Sequence, residues 1–122
     1  MKLIHWILLL LIVVVVVAAV VEWPLRPPVK FKTPYQAVLL TNNNVYYGKL
    51  EGLGTAYPIL RDVFYIQTTV DPNTKQSAAV LIRRGKEWHG PDFMVLNARH
   101  VLLIEPVTPG SRVAQLIAAT PK

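Results

Sequence analysis

The chain opens on an unbroken apolar run. After Met1 and Lys2, residues 3–21 carry no charge, no proline and no glycine, and His5 is the one strongly polar side chain among them. A bilayer core of about 30 Å needs roughly 20 apolar helical residues. A helix satisfies its own backbone there. The run therefore predicts a single transmembrane helix. Trp6 and Trp23 fall near its two ends, where indole rings favour the membrane–water boundary. A cleaved signal peptide is the first alternative, with Lys2 as its basic start and Val17 and Ala19 as its small residues. The run is longer than the roughly 7–15 residues of a signal core, and Glu22-Trp23-Pro24 reads as an interfacial exit, so the anchor is expected to be retained. A buried soluble helix is the second alternative. A domain this small offers too little chain to cover such a helix on every side.

The pattern then changes twice. Prolines at 24, 27, 28 and 34 break any helix and predict an extended, semi-rigid spacer. From Tyr35 the apolar positions come in short runs rich in β-branched and aromatic residues, separated by turn residues. Strands are expected at 35–40, 45–51, 57–70, 76–84, 93–97 and 100–107. Thr41-Asn42-Asn43-Asn44 and Asp71-Pro72-Asn73-Thr74 are turns by composition. After Pro109-Gly110, Ser111 is a candidate N-cap, with Val113, Leu116 and Ile117 on one helical face. The expected organisation is an anchor over 1–23, a proline-rich linker over 24–34, a small domain over 35–108 and a helical tail over 109–122. Five or six strands in so short a stretch predict a small all-β antiparallel barrel with a short C-terminal helix.

The net charge of +6 changes this picture little. Arg26, Lys30 and Lys32 lie beside the anchor, where basic residues suit anionic headgroups. From Thr33 onward nine basic residues face six acidic ones, and the remaining +3 is spread too widely for a nucleic-acid footprint. Lys2 and the juxtamembrane basic residues nearly balance under the positive-inside rule. Side chains alone would put the domain in the cytoplasm. The short basic start directly before an apolar run resembles an export signal and tips the expectation to an extracytoplasmic domain on the inner membrane. The absence of cysteine fits either compartment.

The segment 38–63, VLLTNNNVYYGKLEGLGTAYPILRDV, resembles the first motif of Sm-like barrels, which are SH3-like folds. Gly48, Leu50, Ile59 and Asp62 fall in the matching places. The segment 94–107, MVLNARHVLLIEPV, looks like the second motif, with Asn97-Ala98-Arg99 at its turn. Whole-chain organisation is similar to that of uncharacterised bacterial proteins with one membrane helix and one such domain. The resemblance implies open edge strands able to pair with a neighbour. It also implies where an RNA base would be clasped. Those positions hold Gly54, Pro58 and Ala98, so the family's side chains are missing and nucleic acid is not the expected partner.

Candidate chemistry is sparse. Glu87, His89, Asp92 and His100 are the nearest approach to a ligand set, but zinc usually takes cysteines or closely spaced histidine pairs, so no metal is expected. Ser77 and Ser111 lack a nucleophile frame. No glycine loop precedes a helix to cradle phosphate, and no cofactor is expected. The loop Arg84–Asp92 carries Trp88 and His89, residue types that suit interfaces. With Val113, Leu116 and Ile117 they are the expected partner contacts, the alternative being that the tail closes its own domain and Trp88 caps the core. The expectation is a non-enzymatic, membrane-anchored interaction module, an accessory or assembly subunit of a larger membrane complex or a homo-oligomer. The alternative is a membrane-tethered barrel that binds a ligand or nucleic acid.

Overall fold

A computed structural model describes residues 1–22 and 29–122; Trp23 and Arg26 lie outside the described residues. The apolar run forms one helix, α1 (Lys2–Glu22). Its apolar side chains are uncovered by protein, and it is long and apolar enough to cross a membrane. The ring Nδ1 of His5 lies 2.7 Å from the Met1 carbonyl oxygen, so this polar side chain is satisfied within the first turn.

The remainder is an open six-stranded antiparallel sheet followed by a short helix. The strands are β1 (Gln36–Leu40), β2 (Val45–Glu51), β3 (Ile59–Val70), β4 (Ser77–Arg83), β5 (Phe93–Val95) and β6 (Val101–Pro106); the helix is α2 (Arg112–Ala119). The sheet order is β4-β3-β2-β1-β6, and β5 also pairs with β3. The expected strands are all present; β2 keeps its expected bounds, and each of the others is one or two residues shorter at one or both ends. β3 starts at Ile59, two residues later than expected, and the carbonyl of Pro58 just before it accepts from the Leu96 N–H at 2.8 Å. His100 belongs to a 3-10 turn, Ala98–His100, whose start is capped by the Asn97 side chain accepting from the Arg99 N–H at 3.1 Å.

That turn forces curvature. β5 lies against one side of β3 and β6 against the far side of β1. A flat arrangement would put β5 and β6 four strand spacings apart, about 19 Å. The chain between them has only residues 96–100, three of them in a 3-10 turn that rises about 2 Å per residue. The sheet must therefore curl for this connection to close. No ladder joins β5 to β6 among the described residues, so it remains open.

The bend is built at Gly48. Tyr47 pairs with Phe64 and Lys49 with Arg61, so Asp62 and Val63 stand opposite Gly48 alone. This is a β-bulge, which bends a strand and sharpens its twist. Asp62 takes φ 48°, a left-handed conformation that non-glycine residues adopt rarely. A Cβ on Gly48 would lie 2.6 Å from Leu60 Cγ and 2.8 Å from the Arg61 carbonyl oxygen. Only glycine admits so close an approach. Inside the bend, Val38, Leu60, Val63 and Leu96 form the buried centre, with Leu40, Tyr46, Leu50, Met94, Val101 and Ile104 packed around it.

Gln36 is a buried polar residue at the edge of this core, the one such residue among those described. Its Oε1 accepts from the Leu50 N–H at 2.9 Å and its Nε2 donates to the Thr33 carbonyl at 2.6 Å. The last β2 residue paired to β1 is Gly48. The side-chain amide thus acts as an extra piece of strand beyond the end of β1 and fixes the chain just before it.

Gly48→Ala should destabilise the domain by about 1–3 kcal/mol through overpacking against Leu60. Gln36→Ala should cost about as much by leaving the Leu50 N–H without its acceptor. Thermal melts of the full chain in detergent, followed by the near-ultraviolet tyrosine signal, should show each midpoint lowered by several degrees. An unchanged midpoint for Gly48→Ala would contradict the close approach described here.

Candidate interaction surface

The loop between β4 and β5 is organised by Glu87. Its Oε2 accepts from the Gly85 N–H at 2.8 Å, and its carbonyl accepts from the Gly90 N–H at 2.8 Å. Gly85 and Gly90 both have positive φ, 129° and 54°, as the reversal requires. The backbone N–H of Gly85, then that of Glu87 itself, holds the Glu87 carboxyl below the usual glutamate range. Arg84 Nε lies 3.7 Å from Glu87 Oε1, too long for a hydrogen bond. The Arg84 guanidinium instead lies over the Tyr46 ring at 5.8 Å, and that of Arg83 over Phe64 at 4.5 Å. Both Nε atoms are buried without an acceptor, so aromatic faces replace hydrogen bonds at the root of the loop.

This framework presents Trp88 to solvent. Its relative exposure is 107%, and His89 beside it is exposed. Trp88 does not cap the core. Of the other expected contacts, Leu116 is exposed, Val113 is half-buried and Ile117 is buried. The tail helix starts where expected: Ser111 Oγ accepts from the Ala114 N–H at 3.2 Å. Ile117 lines a recess with Tyr35, Val107, Pro109 and Arg83. One face of the tail therefore docks on its own domain. Trp6 is exposed on α1, and Lys30 and Lys32 are exposed just before the sheet.

No three His, Cys, Asp or Glu side chains converge among the described residues, so Glu87, His89, Asp92 and His100 do not assemble a ligand set. His100 lies instead beside Thr41, its Nδ1 3.4 Å from Thr41 Oγ1. Of the three positions where the resemblance would put a base site, Pro58 and Ala98 lie at one backbone junction. Leu96 donates to Pro58 and Ala98 to Ala56. Gly54, Pro58 and Ala98 bring no side-chain hydrogen-bonding group to that junction.

One exposed feature is not evident from residue types. β2 leaves β3 after Phe64, and β3 continues to Val70 paired only with β4. The result is a two-stranded ribbon that projects from the domain. Residues 63–70 and 76–82 contain no charged side chain, and Ile66, Val70 and Val80 are exposed. The long β-rich run at 57–70 was the sequence signal, but only the pairing shows that half of it leaves the core. No protein-family model matches the chain, and no curated protein matches it in sequence.

Two outcomes follow. The Glu87 carboxyl is ionised and bonded at neutral pH, and a depressed carboxyl pKa contributes order above the unfolded value that is lost as pH falls through the folded one. The Gly85 amide resonance should therefore titrate with a midpoint below the ordinary glutamate range, and Glu87→Gln should abolish that titration. In stability, Trp88→Ala should leave the melting midpoint within a few degrees, as exposed substitutions do. Ile117→Ala should lower stability by about 2–4 kcal/mol. Early melting of Trp88→Ala would place that ring in the core instead.

Proposed function

We propose that this chain is a non-enzymatic, single-pass membrane-anchored interaction module: α1 stays in the inner membrane, and the curled sheet, read as an Sm-like or SH3-like barrel, is held near the bilayer by the proline-rich spacer. The observation that carries this reading is the uncovered apolar helix joined to a separately cored small domain. A helix with apolar residues on every side needs lipid or protein around it. Lys30 and Lys32 suit contact with anionic headgroups near the spacer's end.

The partner is a larger membrane complex to which this chain is an accessory or assembly subunit, engaged through Trp88 and His89 with Leu116 as a second contact. Support comes from the rigid mounting of a fully exposed tryptophan, since preorganised aromatic side chains make strong interface anchors. The extracytoplasmic side remains the favoured orientation, on the strength of the amino-terminal pattern.

Intact mass of protein extracted from membranes should include residues 3–21; a mass beginning near Val20 would end the anchor reading. Affinity capture of the full chain in mild detergent should retain a defined membrane complex that Trp88→Ala loses while melting normally. Equal capture by wild type and Trp88→Ala would remove this loop from the interface.

A further inference from the structure

We propose that β4 is a self-association edge: two copies of this chain pair their Ser77–Arg83 strands antiparallel about a two-fold axis at Val80. This would join two projecting ribbons into one four-stranded sheet.

The phase of the ribbon's hydrogen bonds is the first support. Arg84 donates to the Val63 carbonyl at 2.8 Å and Asp71 to the Gln76 carbonyl at 2.9 Å. With the register Phe64↔Arg83 to Val70↔Ser77, Ile82, Val80 and Ala78 bond across to β3. The N–H and C=O groups of Ser77, Ala79, Leu81 and Arg83 therefore point away from β3. β4 ends the sheet order, with no strand beyond it among the described residues. Inversion about Val80 sets Ser77 opposite Arg83 and Ala79 opposite Leu81 of the second copy. Outward groups then meet outward groups, on matching faces of the sheet.

Charge and stability select a second copy as the occupant. Natural edge strands are usually blunted by charge, proline or a covering element. Residues 77–82 have neither charge nor proline, and Ser77 to Val80 are all exposed. The full overlap puts the two Arg83 ends about 20 Å apart, so no like charges face each other within the paired strands. A two-stranded ribbon with both faces in water is marginal, whereas three or more strands are needed for independent stability. Self-pairing supplies four. It deepens the interaction-module reading by naming one partner, but it is tested by oligomeric state rather than by capture through Trp88.

The chain has no cysteine, so Val80→Cys introduces a single thiol. In this register the two Val80 residues form a narrow, non-hydrogen-bonded pair with Cα atoms about 4.5 Å apart, within disulfide reach. Sedimentation of the full chain in detergent should give twice the protein mass. Val80→Cys should cross-link on mild oxidation, and Leu102→Cys, exposed on β6, should not. Val80→Lys should weaken the dimer roughly tenfold or more, because like charges directly opposite repel, and its thermal midpoint should fall no further than that of the wild type diluted to monomer. A monomer at every concentration overturns the proposal. So does a dimer that cross-links equally through Leu102→Cys and survives Val80→Lys, because association through α1 would produce that result.

Discussion

The domain depends on the close approach at Gly48. Leu60 and the backbone of Arg61 occupy the space where a side chain would stand. That contact and the extra residue in β3 bend the strand, and the bend lets β5 and β6 reach a common core. It also divides β3. The half before Phe64 is flanked on both sides, by β2 and by β5, and carries Leu60 and Val63 into the core. The half after it projects with β4 as a ribbon. Asp62, at the turning point, meets Lys49 at 3.0 Å and Arg83 at 3.8 Å. Its hydrogen bond holds the Lys49 ammonium above the ordinary lysine range. Both partners are about half exposed, so the pair contributes little to stability; it orients the bulge rather than holding the fold.

Two devices finish this small core. Gln36 extends the short β1 with its side-chain amide and ties down Thr33. Ile117, on a helix too short to be stable alone, is buried beside a recess that it lines with Tyr35 and Val107. A domain of this size has little apolar surface to leave unused, so the inward face of the tail is part of its own structure. The mounted Trp88 loop and the uncharged ribbon are two of the apolar features left on the sheet domain's surface. They differ in chemistry. The loop offers one aromatic anchor on a constrained backbone, whereas the ribbon offers hydrogen-bonding edges with small aliphatic side chains. These suit two different contacts, a pocket on a partner and another strand.

Much of this could be read from the sequence for simple physical reasons. Nineteen residues without charge, proline or glycine dictate an apolar helix whatever follows. Asn42–Asn44 and Asp71–Thr74 punctuate the strands because their side chains stabilise turns. Ser111 caps the tail helix because its hydroxyl reaches the Ala114 N–H locally. Each is a local effect of neighbouring residues. Tertiary structure decided what depends on residues distant in sequence. Gln36 reads as a polar residue at a strand start, yet it is buried because Thr33 and Leu50 both satisfy it. Trp88 and Ile117 have equal claims as apolar contacts by type. The Glu87 turn lifts one into solvent, and docking of the tail on the sheet domain buries the other. Alternation along β3 gives no sign of where β2 departs; that is set by the Gly48–Asp62 bend, a meeting of two strands that neither sequence segment specifies alone.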